Sequence, residues 1–466
     1  MESIKKRMPI TNEVRDGIIN GVHNYSREES YCVPAEAEVR QKLEWFQDQK
    51  FGLMIHFGLY AQTGLVESWP LSDHDASWSR EGMDWTQDGD EFRKAYFGLN
   101  RSFNPFAFDP QKWADIAEDA GFKYLIMTTK HHDGFCLWDT DETDYKSTAK
   151  DCPFHDHPKS DIIKSVFNAF RAKGMGIGAY FSKPDWHSKY FWAPGMEYSN
   201  QIWRGPTYDV YEYPHLWEKF VQFTHRQMKE LIYGYGPIDI LWLDGGWVNP
   251  KIGLDIRLTE LVQELRQYRS DLLVVDRTVG GVNENYITPE ETIPDKAMRI
   301  PWESCVSMGG FGYRFDSVYK SAEDVIRLLI NVVCKGGNLA LNVGPRPDGQ
   351  FPTPAVTALR TVGCWMRKYG EAIYGTRIVE PYRTEQAAFV QKSGKIYAFL
   401  LSDDNGVFAE RIKLPINGAI KKITAMQTGA EVIFSTQDGT AAVETASLPR
   451  DEDIPSVIVL ELAMDA

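Results

Sequence analysis

Short apolar segments alternate with amphipathic helical patterns along most of the chain, and this alternation constrains the fold more than any other feature. The segments are rich in Ile, Leu, Val and Tyr, and they are Phe51–Phe57, Tyr124–Thr129, Gly176–Ser182, Ile238–Asp244, Leu272–Asp276 and Asn338–Val343. Such runs are typical of strands that are buried on both faces. Strand–helix alternation predicts a parallel α/β sheet, and so many units favour a (β/α)8-like, TIM-type barrel. An open doubly wound sheet is the alternative.

The segments between these runs carry helix signals. Apolar residues recur at helical spacing from Ile162 to Phe170, and Gly174 follows where a C-cap glycine is expected. Ser321 and Asp324 form a capping-box pattern ahead of a second apolar stripe. These patterns support the strand–helix alternation.

The pattern changes near residue 373. Helical periodicity fades, and turn signals such as Asn417-Gly418 separate short apolar runs such as Val457–Leu462. This arrangement is typical of a small antiparallel β-sandwich. We therefore predict a barrel with an N-terminal lead segment over residues 1–372 and a β-sandwich over residues 373–466.

Polar side chains stand at the ends of five predicted strands in succession. They are His56, His131-His132-Asp133, Tyr180, Asp244 and Asp276-Arg277. The active site of a parallel barrel lies at the carboxyl ends of its strands. A single polar strand end can be a satisfied core group, but packing alone does not readily explain five. We expect these side chains to converge on one site.

The fourth strand gives the clearest signal. Side chains alternate between the two faces of a strand, so Ile240, Trp242 and Asp244 share one face. An aromatic ring then lies directly below a carboxylate, and Gly245-Gly246 leave room for a ligand. The alternative is an aspartate that only caps the loop.

A carboxylate above an aromatic ring suits glycoside hydrolysis, and that reaction requires a second carboxylate. Glu303 is the best candidate from the sequence, because an aromatic neighbour such as Trp302 raises the pKa of a carboxyl group towards the working range of a general acid. Glu290 and Glu291 lie on the same stretch and are rivals, although they also fit a solvated loop.

The chain resembles the α-L-fucosidases of glycoside hydrolase family 29 over roughly residues 40–376. The matching segments are Phe51-Gly-Leu-Met-Ile-His-Phe-Gly58, Glu67-Ser-Trp69, Lys130-His-His-Asp-Gly-Phe135, Leu241-Trp-Leu-Asp-Gly245, Trp302-Glu-Ser-Cys305, Lys335-Gly-Gly-Asn-Leu-Ala-Leu-Asn-Val-Gly344, Pro347-Asp-Gly349 and Gly370-Glu-Ala-Ile-Tyr-Gly375. The ordered set is specific, whereas any one segment is not. The segment Gly309-Gly310-Phe311 departs from the family, which often has polar residues and a Trp there.

The resemblance implies a retaining, exo-acting α-L-fucosidase that cleaves terminal fucosides through a covalent intermediate. It implies Asp244 as the nucleophile and Glu303 as the acid/base. The implied fucose shell is His56, Glu67, Trp69, His131, His132, Tyr180, Trp242 and Arg277. The implied substrate is a fucosylated oligosaccharide or glycoconjugate, and no cofactor is implied.

Two other classes of function remain as alternatives. A metal-dependent barrel hydrolase would use the ligand-like spacing of His131-His132-Asp133 or His155-Asp156-His157. Adjacent His131 and His132 on an extended segment are expected to face opposite ways, which disfavours a shared ion. A non-catalytic carbohydrate-binding protein would need the sugar shell without the two carboxylates.

Composition excludes several partners. The net charge is −14, and no Lys/Arg run is longer than Lys5-Lys6-Arg7, so nucleic-acid binding is not expected. No apolar run is long enough to span a membrane. The first residues lack the apolar stretch of a signal peptide, so we expect a periplasmic or secreted location only if an export signal has been removed. The sequence leaves the oligomeric state open.

Overall fold

A computed structural model of the chain describes residues 25–72, 76–80, 88–196, 204–437 and 440–464. The first 24 residues, where the sequence predicts no signal peptide, lie outside the described residues. None of the helices described is both long and apolar enough to cross a membrane.

Seven parallel strands form the first sheet, in the order β5-β4-β3-β2-β1-β7-β6. The strands are β1 (Phe51–Ile55), β2 (Tyr124–Lys130), β3 (Gly176–Ser182), β4 (Ile240–Asp244), β5 (Leu273–Asp276), β6 (Glu303–Ser307) and β7 (Asn338–Val343). Almost every residue in them is buried, as expected when helices cover a parallel sheet.

An irregular extended segment, residues 284–291, fills the space between β5 and β6. The backbone N–H of Asn285 donates to the carbonyl oxygen of Val274 at 2.9 Å, on the β5 side. The N–H of Glu291 donates to the carbonyl oxygen of Cys305 at 3.0 Å, on the β6 side. Because β5 and β6 are the two edges of the sheet, this segment links them. The barrel-like fold predicted from the sequence is confirmed, with seven regular strands.

The described helices lie around this sheet. They are α1 (Ala37–Gln49), α2 (Gly89–Phe97), α3 (Pro110–Ala120), α4 (Ile162–Ala172), α5 (Pro214–Gly234), α6 (Leu258–Tyr268), α7 (Ala322–Cys334) and α8 (Thr353–Tyr369). The predicted capping box is present at α7, where Ser321 and Asp324 each accept from the other's backbone N–H.

Helix α1 closes the amino end of the sheet. The ring of Phe46 stacks on Tyr286 with centroids 4.1 Å apart, and it meets Tyr124 edge-on at 5.7 Å. The amide of Asn338, at the start of β7, donates to the carbonyl oxygen of Phe46 at 2.7 Å. Aromatic side chains of α1, β2 and the β5–β6 segment therefore fill this end of the barrel.

The C-terminal part of the chain forms two antiparallel sheets around a separate apolar core. The larger has the order β12-β15-β10-β9-β8 and consists of β8 (Arg377–Arg383), β9 (Ala387–Lys392), β10 (Lys395–Leu401), β12 (Ile420–Ala425) and β15 (Val457–Met464). The smaller has the order β11-β14-β13 and consists of β11 (Arg411–Leu414), β13 (Phe434–Gln437) and β14 (Thr440–Glu444). Arg327 of α7 donates to the carbonyl oxygen of Ser402 at 2.7 Å, which ties these sheets to the barrel.

Candidate active site

A cavity of about 150 Å³ opens at the carboxyl ends of the parallel strands. It is smaller than the roughly 300–1,000 Å³ typical of sites for drug-sized ligands, so it suits a single sugar unit. Eight of the ten side chains singled out from the sequence line it, namely His56, Glu67, Trp69, His131, Tyr180, Trp242, Asp244 and Arg277. His132 lies immediately beside the cavity, and Glu303 does not reach it.

Asp244 lies at the tip of β4 among hydrogen-bond donors. Its Oδ2 accepts from the hydroxyl of Tyr180 at 2.5 Å, and its Oδ1 accepts from Nη1 of Arg277 at 3.1 Å. Burial alone raises the pKa of this carboxyl group, but the charge of Arg277 and the neighbouring His132 and Tyr180 outweigh burial and hold the pKa well below its usual range. Asp244 is therefore an ionised carboxylate at neutral pH.

Trp242 lies below Asp244, as the alternation along β4 predicts, and it stacks on Tyr180 with ring centroids 5.2 Å apart. Its indole N–H points away from the cavity and donates to Oε1 of Glu303 at 3.2 Å. The ring is thus held from beneath, with its position fixed relative to the carboxylate above it.

Glu303 is the first residue of β6, so it lies at the amino end of the barrel and not at the carboxyl end. It pairs in register with Asn338, the first residue of β7. Its side chain is fully buried, and Oε2 accepts from the hydroxyl of Tyr124 at 2.5 Å. Burial raises the pKa of Glu303 to about 7, as the sequence suggested, but the carboxyl group faces Tyr124 and Trp242 and not the cavity.

Glu290, the rival to Glu303, does line the cavity. It lies on the segment that links β5 to β6, where it forms a parallel bridge with Cys305. Its Oε2 pairs with Nη2 of Arg277, whose Nη1 binds Asp244. One guanidinium therefore joins two carboxylates. Burial raises the pKa of Glu290 to about 7, against the opposing charge of Arg277.

Two of the histidines have tautomers set by their neighbours. Nδ1 of His56 lies 2.8 Å from the amide oxygen of Asn342, so this nitrogen carries the proton. Nδ1 of His132 lies 2.6 Å from Oγ of Ser182, whose own proton goes to a carbonyl oxygen. Each ring therefore keeps Nε2 as an acceptor. Burial lowers the pKa of both to about 4, so both are neutral at pH 7.

His131 and His132 both lie at the site, so the expectation that they face opposite ways was wrong. Their ring centroids are 4.2 Å apart, and Nε2 of His132 is 3.6 Å from Asp244. The pair follows a register shift near the end of β2, where regular alternation stops. His131, His132 and Asp244 offer ligand atoms that lie within 4.8 Å of one another.

The second histidine motif lies elsewhere. His155 is in a short 3₁₀ turn and pairs with Asp156 at 3.0 Å, and the ring of His157 stacks on Phe154. Neither lines the cavity.

Glu67 and Trp69 come from the long loop after β1. Oε1 of Glu67 accepts from the backbone N–H of Gly312 at 2.5 Å, which ties this loop to the one after β6. Burial raises the pKa of Glu67 to about 7. Trp69 meets the ring of His132 edge-on at 5.2 Å. Phe311, part of the segment that departs from the family, lies 5.2 Å from the His56 ring.

Other lining residues were not anticipated. They are Tyr25, Met54, Arg204, Trp247, Asn249, Thr278, Cys305 and Phe311. Gly246, which the sequence predicted to leave room for a ligand, also lines the cavity. Strand alternation from His56 could have found Met54. Tyr25 and Arg204 come from segments with no strand periodicity, so no local pattern marks them as site residues.

The chain is similar to known α-L-fucosidases. A family model described as Alpha-L-fucosidase matches residues 20–371. The structure of α-L-fucosidase isoenzyme 1 from Paenibacillus thiaminolyticus has a TM-score of 0.76 and 30% identity, covering 92% of this chain and 100% of that one. The Thermotoga maritima α-fucosidase in complex with fucose has a TM-score of 0.72 and 28% identity, covering 93% and 98%.

An α-L-fucosidase from Dictyostelium discoideum is 26% identical, covering 90% of this chain and 92% of its own length. The family match spans most of the barrel, and it includes every strand that contributes to the cavity. The chain therefore belongs to the α-L-fucosidase family of glycoside hydrolases.

Proposed function

We propose that this pocket hydrolyses terminal α-L-fucosides by double displacement, with Asp244 as the nucleophile and Glu290 as the acid/base. The observation that carries this proposal is the shared guanidinium of Arg277, which contacts both carboxylates in a cavity the size of one sugar. Their pKa values are shifted in opposite directions, and such a pair can divide the nucleophile and acid roles.

In the first step an Oδ atom of ionised Asp244 forms a bond to the anomeric carbon. The bond from that carbon to the leaving oxygen breaks, and Glu290 gives its proton to that oxygen. In the second step Glu290 takes a proton from water, the water oxygen bonds to the anomeric carbon, and the bond to Asp244 breaks. Two inversions give net retention.

The other side chains of the site would recognise the hydroxyl groups and the apolar face of the sugar. The acceptor Nε2 atom of His56 and the carboxyl group of Glu67 suit ring hydroxyls, while Trp69 and Trp242 offer apolar faces. Each buried partner left without its hydroxyl costs about 1–3 kcal/mol. The structure of the Thermotoga maritima relative in complex with fucose supports fucose as the sugar that this cavity takes.

A metal-dependent hydrolase is the second candidate, favoured by the cluster of His131, His132 and Asp244. Charge argues against it, because Arg277 donates to Asp244 at 3.1 Å and would repel a divalent cation bound there. The same guanidinium stabilises the carboxylate that the double displacement needs.

The function is tested by following hydrolysis of an aryl α-L-fucoside by proton NMR in the presence of excess chelator. We expect full activity and α-fucose as the first product, since a retaining reaction does not depend on a cation. Loss of activity that Zn²⁺ or Mg²⁺ restores would favour the metal mechanism. First-formed β-fucose would contradict double displacement. Absence of turnover would indicate a non-catalytic carbohydrate-binding protein.

Activity is expected to fall as the pH rises through about 7. Glu290, with its pKa raised to about 7, is a catalytic acid only while it is protonated. Asp244 stays ionised far into the acid range, because its pKa is held low. The pH profile of kcat/KM on a fucoside with a poor leaving group, which needs the proton, should lose its alkaline limb in Glu290→Gln. If the limb persists there, Glu67, whose pKa burial also raises to about 7, becomes the titrating group.

A further inference from the structure

The start of the described chain, residues 25–31, lies against the loop that follows β5. The hydroxyl of Ser26 donates to Oε2 of Glu284 at 2.5 Å, and Tyr31 forms a parallel bridge with Gly281. These contacts join positions more than 240 residues apart in the sequence. The lead segment is therefore part of the wall of the barrel mouth.

Glu284 is the anchor for this arrangement. Its side chain is almost fully buried, at 2% exposure, and it also accepts the backbone N–H of Gly280 at 2.8 Å and that of Thr278 at 3.2 Å. A buried carboxyl group needs such partners, because desolvation is unfavourable for its charge. No step of the proposed reaction uses Glu284, so its contacts point to a positioning role.

Glu284 also fixes the backbone conformation of Thr278. This residue has a φ of 64°, in the left-handed region that β-branched residues rarely adopt. Its N–H bond to Glu284 holds this conformation, and its side chain faces Gly246, on the loop after β4. One carboxyl group thus fixes both Thr278 and the segment that carries Tyr25.

Tyr25, Asn249 and Thr278 all line the cavity. Asn249 and Thr278 come from the loops after β4 and β5, and Thr278 directly follows Arg277, which binds Glu290. The histidines and Trp69 come from the loops after β1 and β2. The group of three therefore comes from the same part of the barrel mouth as Arg277, which contacts Glu290.

We propose that Tyr25, Asn249 and Thr278 form the subsite for the neutral sugar unit to which fucose is attached. This inference rests on the proposed fucosidase function, and it identifies the residues that select the leaving group. An aromatic ring, an amide and a hydroxyl are the groups that bind an uncharged sugar, by stacking and by hydrogen bonds. Oδ1 of Asn249 accepts from the backbone N–H of Lys251 at 2.9 Å, which leaves its NH₂ for a ligand.

The test compares two substrates in Tyr25→Ala and Tyr25→Phe. Fucosyl fluoride has no sugar as its leaving group, whereas fucosyl-α1,2-galactose does. In Tyr25→Ala we expect the ratio of kcat/KM for the disaccharide to that for the fluoride to fall roughly tenfold or more, the effect of losing one good contact. Tyr25→Phe keeps the ring and should retain most of that ratio.

Tyr268→Ala is the matched control, since Tyr268 is an exposed tyrosine on α6, outside the cavity. Its ratio should equal that of the wild type. An unchanged ratio in Tyr25→Ala overturns the subsite, whether both rates fall together or neither falls. Failure of the wild type to cleave fucosyl fluoride is a different result, because it overturns the proposed function itself.

Discussion

Replacing Asp244 by glycine is expected to reduce turnover by a factor on the order of 10³ or more, because covalent catalysis has no substitute for its nucleophile. Tyr180 and Arg277 hold the carboxylate at the tip of β4, and no other carboxylate receives both contacts among the described residues. Steady-state kinetics on an aryl α-L-fucoside measures the loss. An Asp244→Ala variant with a nearly native kcat would show that another group attacks the anomeric carbon.

Azide should partly restore the activity of Asp244→Gly. The glycine leaves a space from which the small anion can attack, and the product should be β-fucosyl azide from a single inversion. Asp244→Asn is the matched control, because it keeps the volume of the side chain and blocks that space. Rescue of the asparagine variant to the same extent would mean that azide acts elsewhere.

The sequence predicted the barrel and the position of Asp244 because both depend on local periodicity. Alternation along β4 places Trp242 and Asp244 on one face, whatever the rest of the chain does. Most of the polar strand ends meet because parallel strands present their carboxyl ends on one side of the sheet. His56, Tyr180 and Arg277 come to the cavity for this reason. Asp133 and Asp276 are exceptions, because they accept from Tyr96 and Lys183 and do not line the cavity.

Features set by long-range pairing could not be predicted in this way. Glu303 follows the loop after the fifth predicted strand, but pairing with β7 makes it the first residue of β6 and puts it at the amino end of the barrel. The sequence around Glu290 is typical of a solvated loop, but its bridge to Cys305 brings it to the mouth of the barrel. Tyr25 reaches the cavity only through contacts with a loop that lies distant in the sequence.

Replacing Glu290 by glutamine is expected to slow substrates with poor leaving groups by about 10²–10⁴-fold, the usual contribution of a general acid. Activated aryl fucosides should lose much less, because their leaving groups depart without a proton. The measurement is kcat/KM across aryl fucosides of rising leaving-group pKa. The slope of log kcat/KM against that pKa should become steeply negative in Glu290→Gln.

Glu303→Gln is the matched control, since burial raises the pKa of Glu303 to about 7 as well, yet its carboxyl group supports Trp242 from beneath. An amide oxygen can still accept from the indole, but an amide cannot serve every donor that the carboxylate does. We expect kcat/KM to fall by the same factor for all leaving groups, because a shifted Trp242 affects sugar binding and not protonation of the leaving oxygen. A steep slope in Glu303→Gln and a flat one in Glu290→Gln would return the acid/base role to Glu303. The two variants therefore separate the effect of a perturbed pKa from the effect of position, and position decides which carboxyl group can reach the leaving oxygen.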